Sequence, residues 1–139
     1  MVGVVVATHG DLAEVLLRTT EAVCGPLERC RAVSISAAQA IDGARAALAE
    51  AIHAVDDGQG VLVLTDMFGG TPANLALTFL DERIEVVTGV NLPMLTKLST
   101  CRASAEPLAK IAELLAAYGQ KNITLASELL RTRARTKPG

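Results

Sequence analysis

Apolar residues occur along the chain in two alternating patterns. Short runs rich in valine, isoleucine and leucine are typical of strands in a parallel sheet. They occupy residues 2–7, 31–35, 61–65 and 84–88, and the second and fourth runs also contain Arg31, Ser34 and Glu85. Between these runs, apolar residues recur every three or four positions, which predicts amphipathic helices. The alternation predicts an α/β fold: a doubly wound, mainly parallel sheet of four strands with helices on both faces.

Residues that start or stop helical backbone delimit the predicted helices. Asp11 is a candidate N-cap, Pro72 suits the first turn of a helix, and Gly119 suits the position just after a helix ends. These signals predict helices over residues 12–24, 38–55, 72–80, a short stretch from 93, and 106–118. The apolar face of the second helix starts at Ile41. Residues 122–125 are predicted to form a fifth strand.

The composition limits the chain to one domain with an aliphatic core. Of the 139 residues, 50% are hydrophobic and 2% aromatic, with no tryptophan. A chain of this length buries enough surface to fold without a metal or a disulfide. The formal net charge is −2, but four basic residues and no acid lie in the last nine positions, so the rest is acidic. An acidic body with few aromatic residues disfavours nucleic acid as a partner.

Cysteine use and the N-terminal residues bear on location. The chain has three cysteines, an odd number without a CxxC pair, and neither a secretory signal nor a long apolar stretch. Disulfides form in oxidising compartments, and a membrane-spanning helix needs about 20 apolar residues. These features predict a cytoplasmic protein with reduced thiols.

Three unusual peptides follow predicted strands. They are Thr8-His9-Gly10, the segment from Asp66 to Pro72, and Gly89-Val90-Asn91. Ligands bind beyond the carboxyl ends of the strands in open α/β sheets, at the point where the strand order reverses. We therefore expect the three peptides to converge, with His9 and Asp66 facing each other across one crevice.

A histidine beside a carboxylate has a defined chemistry. The carboxylate accepts a hydrogen bond from one ring nitrogen and leaves the other as a nucleophile, a general base or a metal ligand. Gly69 and Gly70 allow backbone N–H groups to approach an anion, and Thr71 adds a hydroxyl. This combination favours phosphoryl transfer at His9. A simple anion-binding domain with a structural His9 remains the alternative.

Other chemistries lack their motifs. The chain contains neither a dinucleotide-binding glycine motif nor a nucleotide-hydrolysing loop, and it has no hydrolase nucleophile elbow. No pair of candidate ligands has the spacing of a zinc site. His53, the second histidine, falls on the predicted second helix and is interpreted as a surface residue. We therefore predict no metal and no cofactor.

Four peptides together resemble a known family. In chain order they are VVVATHG at 4–10, LLRT at 16–19, GVLVLTDMFGGTPAN at 60–74 and EVVTGVNLPML at 85–95. They resemble the IIA enzyme of the mannose class of the bacterial phosphoenolpyruvate-dependent sugar phosphotransferase system. The resemblance extends from residue 2 to about residue 125. It divides the chain into a IIA domain at 1–126 and a basic tail at 127–139.

The resemblance implies a role for each candidate residue. His9 would accept a phosphoryl group from the phosphocarrier protein HPr and pass it to a IIB component. Asp66 would orient the imidazole, while Gly69, Gly70 and Thr71 would hold the phosphoryl oxygens. The family needs no cofactor and is linked only indirectly to the membrane permease components IIC and IID.

The resemblance also bears on assembly and on an alternative role. It implies a homodimer in which residues 122–125 form an antiparallel strand on the neighbour's sheet. The position of Phe68 is often tryptophan in the family.

The alternative function is that of a regulatory interaction protein, in which phosphorylation of His9 reports the state of the phosphorelay without a dedicated permease.

Overall fold

One parallel sheet forms the centre of the molecule in the computed structural model, which describes residues 1–136. Its strands are β1 (Gly3–His9), β2 (Cys30–Ile35), β3 (Val61–Thr65) and β4 (Ile84–Thr88). The order across the sheet is β2-β1-β3-β4, and all neighbouring pairs are parallel. The connection from β1 to β2 therefore runs in one direction across the sheet, and the connection from β2 to β3 runs back in the other. The gap between the ends of β1 and β3 is the switch point at which such sheets bind ligands.

Helices cover both faces of this sheet, as the alternation of apolar patterns predicts. They are α1 (Leu12–Cys24), α2 (Ile41–Val55), α3 (Thr71–Leu77), α4 (Leu92–Cys101), α5 (Leu108–Lys121) and α6 (Ala126–Thr136). Val4 and Val6 of β1 join a core with α1, α4 and α5, whereas Val5 and Ala7 join a second core with α2 and α3. Because side chains alternate along a strand, His9 falls on the same face as α2 and α3.

The turn into α1 differs from the prediction in its capping residue. Asp11 occupies the N-cap position but makes no capping hydrogen bond through its side chain. Instead, the buried Thr8 Oγ1 accepts a hydrogen bond from the Ala13 N–H at 2.7 Å. Thr8, the residue that precedes His9, therefore fixes the connection between β1 and α1.

Gly119 lies inside α5 and not after it, so the prediction that it ends this helix is wrong. A Cβ atom at Gly119 would lie 2.6 Å from the Met94 Sδ. The glycine is therefore needed for close packing of α5 against α4, and the helix continues to Lys121. Asn91 strengthens the same contact, because its Nδ2 donates to the Gly119 carbonyl at 3.1 Å.

The C-terminal segment contains a helix where a strand and a tail were predicted. Residues 122–125 form no strand in the single chain; they connect α5 to α6, with Ile123 and Leu125 exposed. A strand exists only when a neighbouring strand accepts its hydrogen bonds, and this single chain provides none for the segment. The side chains of 126–135 are all exposed. Residues 137–139 of the predicted tail lie outside the described residues, and the domain boundary at 126 stays a prediction.

Candidate functional site

His9 and Asp66 are in direct contact at the switch point, as the predicted fold requires. His9 is the last residue of β1, and Asp66 directly follows β3. The His9 Nδ1 lies 2.8 Å from the Asp66 Oδ2, which also accepts the His9 backbone N–H at 3.1 Å. The Asp66 Oδ1 accepts the Met67 backbone N–H at 3.1 Å. Two backbone amides therefore fix the carboxylate that faces the imidazole.

The charge of Asp66 determines which nitrogen of His9 carries the proton. Partial burial alone would raise the pKa of Asp66, but the hydrogen bonds from the His9 ring and backbone outweigh it and hold that pKa below its usual value. An ionised carboxylate only accepts hydrogen bonds, so the proton between them belongs to His9 Nδ1. The Nε2 then carries a lone pair, on a side chain that is 47% exposed.

Gly70 packs directly against the imidazole ring. A Cβ atom at this position would lie 2.5 Å from the His9 Cε1 and 2.9 Å from the His9 Nε2. No side chain fits there unless the ring moves. Gly69 has a φ of +87° in the preceding turn, a conformation that L side chains rarely adopt. Gly70 thus allows the backbone to approach the His9 ring closely, and Gly69 allows the backbone conformation of the turn.

The start of α3 presents backbone donors next to the ring. The first hydrogen bond of this helix runs from the Asn74 N–H to the Gly70 carbonyl at 2.9 Å. The N–H groups that precede Asn74 therefore have no acceptor within the helix. Pro72 has no N–H, so these donors belong to Gly70, Thr71 and Ala73, and the Thr71 hydroxyl lies in the same turn. This part of the chain can donate hydrogen bonds to an anion held at Nε2.

A cavity of about 340 Å³ adjoins His9 and Thr71. Its opposite wall comes from the end of β2 and the start of α2, including Ser36, Gln39 and Ile41. The prediction that Ile41 belongs to the buried face of α2 is wrong: it is 62% exposed, at the edge of this cavity. Sequence reasoning missed this wall, although residues 36–39 also follow the carboxyl end of a strand.

The third candidate peptide does not join His9, contrary to the expected convergence. Asn91 is the N-cap of α4: its Oδ1 accepts the Met94 N–H at 3.1 Å, and its Nδ2 donates to the Gly119 carbonyl. Gly89 and Asn91 line a separate cavity against α5. Both polar groups of the Asn91 side chain are therefore used within the fold.

Exposed apolar side chains flank the His9–Asp66 pair. Met67 and Phe68, which directly follow Asp66, are 56% and 74% exposed. Together with Ile41 they place large apolar groups in solvent near the imidazole. Contiguous exposed apolar surface is typical of a protein-binding site.

The rest of the described chain shows no rival chemical centre. Among residues 1–136, no three His, Cys, Asp or Glu side chains are grouped so that they could hold a metal ion. His53 is exposed in the last turn of α2. No helix within residues 1–136 is both long and apolar enough to cross a membrane.

The close packing of Gly70 predicts a large effect of a single methyl group. In Gly70→Ala, the new Cβ must displace the His9 ring, and a misplacement of about 1 Å slows a reaction about 100-fold. We expect that loss in the rate of phosphoryl uptake, measured by rapid quench with a phosphorylated donor protein.

Gly89→Ala is the matched control for this substitution. Gly89 has a φ of +84°, so alanine is strained there, but no atom lies within 4 Å of its added Cβ. This variant should lose stability and keep its rate of uptake. Equal rates for Gly70→Ala and the wild type would show that the ring position does not depend on Gly70.

Comparisons with known proteins show which family this chain resembles. The model of the family EIIA-man, described as the PTS system fructose IIA component, matches residues 3–118. The fructose-specific EIIA component of Bacillus subtilis is 30% identical over 132 residues, covering 94% of this chain and 90% of that protein. The mannose-specific EIIAB component of Escherichia coli K12 is 31% identical over 128 residues, covering 88% of this chain and 38% of that protein.

A solved structure extends the similarity to the fold. The mannose/sorbose-specific IIA subunit from Enterococcus faecalis superposes with a TM-score of 0.79 and 30% identity, covering 88% of this chain and 92% of that one. Its family consists of phosphotransferases that carry a phosphoryl group on histidine during sugar transport. The chain thus belongs to the IIA component family of the sugar phosphotransferase system.

Proposed function

We propose that His9 is the histidine that carries the phosphoryl group, that HPr donates it, and that a IIB component accepts it. The observation that supports this proposal is the 2.8 Å contact between the His9 Nδ1 and the Asp66 Oδ2. It leaves the Nε2 lone pair as the nucleophile. His53, the other histidine, is exposed on α2 and has no carboxylate within 4.0 Å among residues 1–136.

The proposed reaction is an in-line displacement at phosphorus. The Nε2 lone pair of His9 forms the new N–P bond while the bond from phosphorus to the donor nitrogen breaks. The proton stays on Nδ1, so positive charge develops on the ring, and the ionised Asp66 stabilises that charge. Backbone N–H groups around Gly69 and Gly70, with the Thr71 hydroxyl, stabilise the equatorial oxygens. Transfer to the acceptor repeats these steps in reverse.

The surface around His9 supports proteins as donor and acceptor. Met67 and Phe68 expose large apolar groups beside a ring that is itself 47% exposed. Such a surface suits a partner protein that covers the site during transfer and excludes water. One relative is named as an EIIAB component, and that name supports a IIB component as the acceptor.

We place this reaction in the cytoplasm. All three cysteines lie in the described part of the chain and are free thiols, which suits a reducing compartment. In this proposal the protein contacts the permease components IIC and IID only through its IIB acceptor.

The proposal is tested by the chemistry and position of the label. The protein is incubated with phosphoenolpyruvate, enzyme I and HPr, and its intact mass is measured. We expect one added phosphate that is lost in acid and kept in base, and that maps to the peptide containing His9. An acid-stable phosphate, or no added mass, would contradict the proposal.

We also propose a homodimer in which residues 122–125 of one chain add an antiparallel strand to the sheet of the other. β4 is an edge strand, and edge strands have unpaired backbone groups that can accept another strand. Ile123 already lines a cavity together with Val87 of β4. Sedimentation equilibrium should give twice the chain mass, and Ile123→Asp should give a monomer. A monomeric wild type at micromolar concentration would overturn this arrangement.

A further inference from the structure

Arg102 is a buried cation on the side of the molecule opposite His9. It follows α4, is 8% exposed, and donates from Nη1 to the Val2 carbonyl at 3.1 Å. Val2 precedes β1, whereas His9 is its last residue. At about 3.3 Å per residue, the length of this strand separates the two sites by about 20 Å.

The fold supplies no negative charge for Arg102. A guanidinium group is always protonated, and a buried charge is costly unless it is paired. Across residues 1–136, no carboxylate oxygen lies within 4.0 Å of Arg102. Its buried Nε has no hydrogen-bond partner. Its hydrogen-bond partners are the Val2 carbonyl and the Cys30 thiol, and neither is a carboxylate.

The Cys30 thiol beside Arg102 does not fill this role. Burial raises the pKa of Cys30 above its usual value, and the smaller opposite effect of Arg102 does not reverse the shift. The thiol therefore stays protonated and neutral at neutral pH. Within residues 1–136, Arg102 therefore has no negatively charged partner.

Arg102 also lines a cavity of about 210 Å³ that is open to a small ligand. Leu27 and Glu28 border it from the loop before β2, and Ser99 and Ala103 border it from the end of α4. The volume is about seven times the ~30 Å³ that a water molecule occupies in the liquid. It lies below the range of about 300–1,000 Å³ that is usual for drug-sized ligands. A small ion fits this space better than a nucleotide does.

We propose that this cavity is a second anion site, in which Arg102 binds a small oxyanion of the size of inorganic phosphate. Nη1 donates to the Val2 carbonyl, and the buried Nε–H, which has no partner in the structure, is the donor that we assign to the anion. Guanidinium groups suit phosphate and carboxylate oxygens because their donors lie in one plane. The Ser99 hydroxyl adds a neutral donor at the rim. The inference does not depend on the phosphorylation of His9.

Substitution of Glu28 tests the proposal without changing the guanidinium group of Arg102. Glu28 is exposed, and among the described residues that line the cavity it is the only acidic one. Its carboxylate repels a bound anion through solvent, so Glu28→Gln should tighten binding by about threefold, the size of an exposed charge interaction.

The experiment is an NMR titration with sodium phosphate, compared with sodium chloride at the same ionic strength. The Arg102 Nε–H resonance reports on the guanidinium directly, and the amides of Leu27 and Ala103 report on the walls. We expect saturable shifts of all three with phosphate, unchanged in His9→Ala. In Arg102→Lys, which has no guanidinium resonance, we expect the amide shifts of Leu27 and Ala103 to be lost. A parallel titration with sodium acetate distinguishes a phosphate ligand from a carboxylate ligand.

Several results would overturn the proposal. They are equal shifts with chloride, shifts confined to the amides near Gly70, or no tightening in Glu28→Gln. If Arg102→Lys does not fold, the wild-type and Glu28→Gln titrations decide the question alone.

Discussion

The His9→Ala variant is expected to take up no phosphate from phosphoenolpyruvate, enzyme I and HPr. The described site offers no substitute nucleophile, because Asp66 is ionised and mainly faces the ring and two backbone amides. His9 packs against Gly70 at the end of β1, and its side chain is 47% exposed. Removal of the His9 side chain should therefore leave the two hydrophobic cores, one on each face of the sheet, unchanged.

His53→Ala is the matched control for this variant. It removes the second histidine, which is exposed on α2, and it should be labelled to the same extent as the wild type. Intact mass gives the extent of labelling, and circular dichroism with thermal unfolding shows that both variants fold. Undiminished labelling of His9→Ala would exclude His9 as the phosphorylated residue.

The Asp66→Asn variant should fold and transfer phosphoryl groups about 100-fold or more slowly. An asparagine has one acceptor oxygen, whereas Asp66 uses Oδ2 for His9 and Oδ1 for the Met67 N–H. The amide also carries no charge to stabilise the imidazole as phosphorus bonds to Nε2. The rate of transfer from phosphorylated HPr, measured by rapid quench, gives the size of this loss.

Asp11→Asn controls for the loss of a negative charge near the site. Asp11 lies two residues after His9, is exposed, and makes no capping hydrogen bond through its side chain. Its variant should transfer phosphoryl groups at the wild-type rate. If both variants were equally slow, general electrostatics would explain the effect, and the specific role of Asp66 would be excluded.

The Asp66→Asn substitution should also change how the stability of the fold depends on pH. The pKa of Asp66 is lower in the folded protein than its usual value. Its ionised form therefore stabilises the fold above the unfolded pKa, and this contribution is lost as the pH falls through the folded pKa. Asp66→Asn should lack this part of the acid sensitivity, so its free energy of unfolding should fall less than that of the wild type on acidification.

The sequence predicts two neighbouring strands of the sheet and the main contact of the site well. The strands at 61–65 and 84–88 have the predicted bounds, because short segments rich in β-branched and other apolar residues favour strands. The contact of His9 with Asp66 follows from the same topology. For the two strands and for the His9–Asp66 contact, the local sequence pattern and the fold class therefore predict the same structure.

Features that depend on tertiary contacts could not be predicted in this way. Gly119 has the pattern of a helix end, but its role is set by Met94 on another helix. Ile41 has the spacing of the buried face of α2. It is, however, the first residue of that helix, and its side chain lies at the cavity beside His9. Arg102 has no local signal, because its burial results from residues near 2 and 30 that are distant in sequence.

The carboxylate of Asp66 is held by the main-chain N–H groups of His9 and Met67. A main-chain donor is present whatever side chain occupies position 67, so the orientation of the reactive pair is independent of the neighbouring surface. Met67 and Phe68 can therefore change during evolution to suit a different partner protein without moving the imidazole. In the proposed function, the backbone of this loop serves the reaction and its exposed side chains serve the choice of partner, so partner specificity can diverge while the reaction is retained.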